Sequence, residues 1–478
     1  MSLREDAETI WRAGVAAVDS SLAVQQQFRI DGNMFHIADV DLNLADVGRI
    51  EILGAGKAGA GMASGVERAL LPQIPSDRIS GWVNVPADCV RTLQRIHLHN
   101  ARPAGLNEPT AEGVAGTAEI LRRMNSLTPR DVCIVLLSGG ASALLCSPVP
   151  QITLAEKLTV TRALAGAGAP IQDLNVVRTQ LSRVKGGQLA DACQAGTLLA
   201  LIISDVIGDP LEIIGSGPTT SAPPRPQEAM DILQKYDLLD RVPKNVIQFL
   251  SARSSAIETP AAETPLSRTP PDRSHFVRRN VIVASNSIAL KAAEQMATQL
   301  GYQTVSLGSD NAGEAADEGR RLIDTMRLAR SQMSAVHPQP FCVLSGGEPT
   351  VKLRTGGDAG DSISCGAAAS PATARGGRNQ ELVLAAIAQY PTAEDWSGLS
   401  LLSGGTDGED GPTDAAGAVA NQVLIARMAA DRIDPIPYLA RHDSYTFFDA
   451  VGGLLKTGPT HTNVMDLRVG LVDSFASD

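Results

Sequence analysis

Lys57 lies inside the turn Gly54-Ala-Gly-Lys-Ala-Gly59, which follows the apolar run Ile50–Leu53 and matches G-x-G-x-x-G. A glycine turn that opens a helix presents free N–H groups and the positive end of the helix dipole. A lysine added there makes sense when an anion such as a phosphate rests against Gly54, Gly56 and their neighbours; the plainer alternative is a tight turn with a solvated lysine. Ser138-Gly139-Gly140-Ala-Ser142 follows the apolar run Val132–Leu137 and could wrap phosphate oxygens with backbone N–H groups and two hydroxyls. Between Asn175 and Gly187, Arg178, Ser182 and Lys185 recur at helical spacing, which predicts one cationic helix face suited to anion capture.

Carboxylates cluster after other runs. Ser204-Asp205-Val-Ile-Gly-Asp209 leads to Gly215-Ser216-Gly217-Pro218-Thr219. Asp205 and Asp209 suit Mg²⁺, which takes one or two carboxylates plus water and phosphate oxygens; helix capping is the alternative for Asp205. In Gly376-Gly-Arg378-Asn379-Gln380-Glu381, Arg378 is placed for a two-pronged grip on a carboxylate or phosphate. Asn379 and Glu381 add substrate contacts, with capping as the competing reading. Ser403–Asp414 holds Asp407 and Asp410, candidates for a second metal contact or substrate hydroxyls; it fails the EF-hand pattern. His97, His99, His442 and His461 have no metal-ligand spacing, and neither a Walker loop nor a G-x-S-x-G elbow occurs.

The elements that must position these groups are short apolar runs: Ile50–Leu53, Val132–Leu137, Leu198–Ile203, Val281–Ala284, Phe341–Leu344 and Leu399–Leu402. Such runs predict parallel strands buried on both faces, and ligands bind beyond the carboxyl ends of such strands. The fold class expected is α/β, with a Rossmann-like, doubly wound and mostly parallel N-terminal sheet and a second α/β domain. Residues 1–250 form the first domain on this reading, 251–279 a polar linker and 280–478 the second, whose final segment is a candidate to pack back on the first. Thr355–Gly376, rich in Gly, Ala and Ser, reads as a loop.

The chain of 478 residues is too long for one core, which agrees with two domains. Its net charge of −11 and lack of a basic run argue against a nucleic-acid partner. No apolar stretch of membrane-spanning length and no signal peptide is read, so the expected compartment is the cytoplasm. The six cysteines form no C-x-x-C pair; Cys133, Cys146, Cys193 and Cys342 lie in or beside apolar runs and are expected to be buried thiols.

Seven strings occur in an order that resembles the class II glycerate 2-kinases with a C-terminal MOFRL domain: GAGKAGAGMA, SGGASALL, LNVVRTQLSRVKGGQLA, LIISDVIGDPLEIIGSGPT, SGGEPTV, GGRNQELVLAAI and SGGTDGEDGPTDAAGA. The resemblance runs from about Ile10 to Val469. It implies two α/β domains with the site in the cleft between them, dependence on ATP and a divalent metal, and conversion of D-glycerate to 2-phosphoglycerate. It also implies central roles for Lys57 and Arg378. The insert Gly356–Arg375 departs from the family pattern. On this basis Lys57, Arg378 and Asp205 are expected to act in catalysis. Gly54, Gly56, Ser138, Gly139, Gly140, Ser142, Lys185, Ser216, Gly217 and Pro218 are expected at the nucleotide, and Arg178, Asn379, Glu381 and Asp407 at the substrate. Asp205 and Asp209 are expected at Mg²⁺. Glycerate and ATP are the expected small-molecule partners, with monomer and homodimer both open. A nicotinamide-dependent hydroxypyruvate reductase and a non-catalytic phosphosugar-binding regulator remain as rival readings.

Overall fold

The computed structural model describes residues 2–258, 276–332, 339–352 and 374–473. Most of the 251–279 linker and nearly all of the Gly356–Arg375 insert, with Cys365, lie outside the described residues. The chain divides into two compact units. Ser20–Ile203 and Asp209–Val283 make up the N-terminal unit, and Met1–Asp19, Ser204–Gly208 and Ala284–Asp478 the C-terminal unit.

In the N-terminal unit, a three-stranded antiparallel meander of β1 (Phe28–Asp31), β2 (Met34–Ile37) and β3 (Val40–Asn43) precedes the main sheet. That sheet contains β4 (Ile50–Ala55), β5 (Ile79–Pro86), β6 (Ile96–Arg102), β7 (Val132–Leu137), β8 (Thr197–Ile203) and β9 (Val277–Ala284), in the order β6-β5-β4-β7-β8-β9. The pairings from β6 through β8 are parallel. This is the 3-2-1-4-5-6 order of a doubly wound dinucleotide-binding fold, which reverses direction between β4 and β7. β4, β7 and β8 are buried at every residue, as expected for strands covered on both faces. Helices Leu154–Gly166, Ile171–Gln180, Pro226–Lys235 and Lys244–Glu258 build a satellite core around Val160, Leu164, Val177, Leu233 and Val246.

The C-terminal unit holds β10 (Gln303–Ser306), β11 (Phe341–Gly347), β12 (Leu399–Gly405), β13 (Gly417–Asn421), β14 (Leu454–Leu455) and β15 (Asp466–Val472), in the order β10-β11-β15-β12-β13-β14. The runs read as parallel strands here enter a mixed sheet. β11 is parallel to β10, but β11 and β12 each pair antiparallel with β15, the last strand, which fills the slot between them. Alternating residues feed two cores: Cys342 and Leu344 face one with Leu467 and Leu471, while Val343 and Leu401 face the other.

Two features of the expected domain plan change. The first helix, Leu3–Ala17, packs on helix Asn286–Gln299, β15 and β12, so residues 1–19 belong with the C-terminal unit. Its buried face (Ala7, Ile10, Trp11, Gly14) finds there the apolar partner an amphipathic helix requires. The final strand does not return to the N-terminal sheet, because its hydrogen bonds are taken on both sides by β11 and β12.

Candidate active-site residues

At the reversal point of the first sheet, the loops after β4 and β7 are joined. Lys57 N–H donates to Gly139 C=O (2.9 Å), and Ala58 N–H donates to Ser138 Oγ (3.1 Å). A side chain at Gly56 would place its Cβ 2.0 Å from Ser138 Oγ, so the close approach requires glycine. Helix Gly59–Leu70 starts here, and the Lys57 side chain is exposed beside its N-terminus. Arg102 Nη2 lies near Gly140, which adds a second cation. Ligands of open α/β sheets sit in this crevice beyond the strand ends. Gly54 is placed differently from expectation. It is within β4, packed against the Leu136 carbonyl, and serves strand approach rather than the loop. Ser138 is buried with its hydroxyl bonded to Ala58, so it ties the loops together.

A second group in the same unit surrounds Lys185, which is buried. Its Nζ donates to Ser142 Oγ (3.1 Å), Ser142 C=O (3.3 Å), Ser216 Oγ (3.1 Å) and Gly215 C=O (3.2 Å). Burial holds its ammonium well below the usual range, and the charges of Arg178 and Lys157 push it the same way. Ser216 Oγ donates to Asn175 Oδ1 (2.9 Å), and Arg178 Nη1 reaches the same oxygen at 3.5 Å. Gly215, Ser216 and Gly217 all have φ near +60°, so the chain coils left-handed and turns Ser216 inward, a conformation the flanking glycines permit. Gly217 and Pro218 accept through their carbonyls from Gly187 N–H and Ala190 N–H. The helical-face reading of Arg178, Ser182 and Lys185 is corrected. The helix ends at Gln180, and Ser182 Oγ accepts from Val184 N–H and Lys185 N–H in a turn that carries Lys185 round to Arg178's neighbourhood.

In the C-terminal unit, Arg378 begins helix Arg378–Gln389 and grips Asp466 with two bonds, Nε–Oδ2 at 2.7 Å and Nη2–Oδ1 at 2.9 Å. Its Nη1 lies 3.0 Å from Glu348 Oε1. The register explains the room for this grip. Asp466 lies between Gly347 and Gly405, and Arg468 between Ser345 and Ser403, so the two Ser-Gly-Gly strand ends flank one acidic and one basic residue. Burial disfavours the Arg378 charge, yet Asp466 and Glu348 raise the guanidinium above its ordinary value. Burial lifts the Glu348 carboxyl; Arg378 opposes this, while Asp466, Asp205 and Asp407 add to it. Burial likewise raises Asp407, whose Oδ1 accepts from Glu409 N–H (3.1 Å).

Asp205 therefore falls near Glu348 in the C-terminal unit, whereas Asp209, with φ +53°, falls in the N-terminal unit. Asn379 and Glu381, expected at the substrate, are buried and committed elsewhere. Asn379 Nδ2 donates to Asp410 Oδ1 (3.2 Å), its Oδ1 accepts from Ser403 (2.6 Å), and Glu381 pairs with His442 Nδ1 (2.8 Å). They hold the helix that presents Arg378. Asp410 is likewise structural, accepting from the free N–H groups of Asn379 (3.0 Å) and Gln380 (2.8 Å) at the helix start. Sequence reading missed Asp466 and Glu348. The signal for Asp466 was there: Asp466 and Arg468 are two charges in an otherwise apolar strand, an arrangement buried strands rarely tolerate unless the charges are paired.

A Rossmann-ordered sheet with cationic glycine loops beyond its strand ends, and in the second unit a mixed sheet with a carboxylate–arginine pair, define a two-unit α/β protein. Residues 6–251 match a domain of unknown function, DUF4147, and residues 341–466 match the MOFRL family. Glycerate kinases of Danio rerio and Homo sapiens are 35% and 34% identical, covering 98% and 96% of this chain and 98% and 95% of theirs. A protein of Agrobacterium vitis with a hydroxypyruvate reductase label is 35% identical over 99% of this chain and 95% of its own. The crystal structure of a glycerate kinase from Thermotoga maritima superposes with TM-score 0.78 at 28% identity, covering 98% of this chain and 99% of that one. A protein of Pyrococcus horikoshii gives 0.80 at 30% identity over 99% of both chains. The chain belongs to the glycerate kinase family with DUF4147 and MOFRL domains.

Proposed function

We propose that the protein transfers the γ-phosphoryl group of ATP to the 2-hydroxyl of D-glycerate, forming 2-phosphoglycerate and ADP. The observation that carries this reading is the joining of the Lys57 loop to the Ser138–Ser142 loop at the sheet's reversal point, in a chain that matches glycerate kinases nearly end to end. Phosphoryl transfer needs alignment and charge cancellation more than covalent help. Lys57 and the backbone of Gly139 and Gly140 supply positive potential for nucleotide phosphates, and Ser142 and Ser216 supply further donors. Arg378, whose guanidinium is engaged by Asp466 and Glu348, is the cation this reading assigns to the moving phosphoryl group. Asp407 or Asp205 accepts the hydroxyl proton.

The donor set suits Mg²⁺. Among the described residues no three His, Cys, Asp or Glu side chains are grouped to hold a metal alone, but Mg²⁺ commonly takes few protein carboxylates beside water and phosphate. Burial first, then the charges of Asp466, Asp205 and Asp407, raise Glu348, which Arg378 already engages; Asp205 and Asp407 are the hard oxygen donors that would hold the ion beside water and phosphate. When bound, Mg²⁺ cancels charge on the phosphate oxygens.

Phosphorus NMR of glycerate, ATP, Mg²⁺ and the protein tests the reading. A 2-phosphoglycerate signal is expected; a 3-phosphoglycerate signal or no product overturns it. Lys57→Ala is expected to lower kcat on the order of 10²–10³-fold, and near-normal turnover refutes the role given to Lys57. The strand order and the glycine fingerprint favour a second reading, NAD(P)H-dependent reduction of hydroxypyruvate. Loss of NADH absorbance with hydroxypyruvate would select it. Against it, His97 and His99 pack against Trp82, and His442 is engaged by Glu381, so none of these three lies in a glycine loop as a proton donor.

A further inference from the structure

Lys157 lies on helix Leu154–Gly166, and no sequence pattern singles it out. Only 3% of it is exposed, and its Nζ is buried without a hydrogen-bond partner. An ammonium buried in this way is costly unless something pairs with it. Its charged neighbours make this worse. Arg178 acts on Lys157, and Lys157 and Arg178 both act on Lys185. Three cations thus gather in the N-terminal unit, and among the described residues none makes an ion pair with a carboxylate. The other ionisable neighbour shared by all three is the Cys146 thiol. Asn175, which bridges Ser216 and Arg178 through its Oδ1, has a buried Nδ2 that also lacks a partner.

We propose that Lys157 and Asn175 complete, with Arg178 and Lys185, a buried oxyanion site that receives the carboxylate of the hydroxy-acid substrate. The identity of that ligand rests on the kinase reading. Two unpaired donors and an arginine held to Asn175 by a weak 3.5 Å bond are what a planar, two-oxygen anion would satisfy. The buried position of Lys157 suits a small end group. The nucleotide's long phosphate chain better suits the exposed Lys57 loop at the sheet's reversal point. Burial and the Arg178 charge both lower the Lys157 ammonium below its usual range, so an incoming anion strengthens its protonated form.

The test is steady-state kinetics together with calorimetric titration of D-glycerate into the full chain without nucleotide, for the wild type, Lys157→Met and Asn175→Asp. Lys157→Met removes the charge at similar volume. Asn175→Asp places a competing carboxylate beside the cations and needs no repacking. Loss of a charged hydrogen bond predicts a rise in glycerate KM and Kd of roughly tenfold to a hundredfold in both variants, with nucleotide KM within about twofold. The melting temperature should hold or rise, because the unpaired charge is gone or paired. A raised nucleotide KM with glycerate unaffected overturns the assignment in favour of a phosphate site; unchanged glycerate parameters in both variants overturn it outright. If wild type binds D-glycerate and Lys157→Met weakens that binding, yet no phosphoglycerate forms, the kinase reading fails and the oxyanion site stands. If phosphoglycerate forms equally well in wild type and both variants, the reverse holds.

Discussion

Arg378 illustrates how one side chain acquires meaning from partners distant in sequence. Its two-pronged bond to Asp466 spans 88 residues and fixes the guanidinium plane, while a third of the side chain stays open to solvent. Asp466→Asn is expected to free Arg378 and leave Arg468 without its nearest charge. Turnover should fall on the order of 10²-fold. Stability should fall by about 3 kcal/mol, the low end for a broken buried pair because Arg378 keeps water contact. Urea unfolding and initial rates check both. Asp410 gives a pH signature. Burial lifts its carboxyl to about 7, against the pull of the Gln380 and Asn379 N–H groups. The folded state then binds a proton that the unfolded state, near 3.9, releases first. This contribution to stability is full below about pH 4 and disappears as pH rises through about 7. Asp410→Asn cannot titrate, so the wild type's advantage in melting temperature over the variant should shrink across that window. A constant difference from pH 4 to pH 7 would contradict the assignment.

At the scale of elements, the loop after β4 and the loop after β7 act as one part. Strand order alone brings them side by side, because β4 and β7 are neighbours at the reversal point. Contact between them is then permitted by the absence of a side chain at Gly56. Gly56→Ala should force Ser138 and Lys57 apart at a cost of about 1–3 kcal/mol and raise nucleotide KM more than glycerate KM. Equal shifts in the two constants would count against the phosphate role of this loop. The Arg378 helix is held at its start in a similar way: Asp410, Asn379, Ser403, Glu381 and His442 fix it, so several polar residues that look catalytic in sequence instead set the angle of a single arginine.

At the scale of the whole molecule, the first helix of the chain completes the core of the second unit. Trp11 is buried and donates from Nε1 to the carbonyl of Gly404, in the strand end that also flanks Asp466. Trp11→Ala should cost about 3–5 kcal/mol and lower kcat, since Gly404 belongs to the same strand end as the arginine site. Differential scanning calorimetry should assign the loss to the transition in which the C-terminal unit melts. If only the N-terminal unit's transition moved, the placement of this helix would be contradicted.

Apolar runs, glycine turns and charged residues just beyond them were legible without coordinates, because burial on both faces imposes continuous hydrophobicity and close backbone approach demands glycine. They marked β4, β7, β8, β11 and β12, and the loops of Lys57, Ser138 and Arg378. Local pattern has no means of recording which distant partner a side chain meets. For that reason Asp466, Glu348 and the unpaired Lys157 stayed invisible, Asn379 and Glu381 read as substrate contacts, and the first helix was assigned to the nearer domain. Pairing of the final strand between two earlier ones decided those matters, since long-range hydrogen bonding and burial, not neighbouring sequence, select the partner.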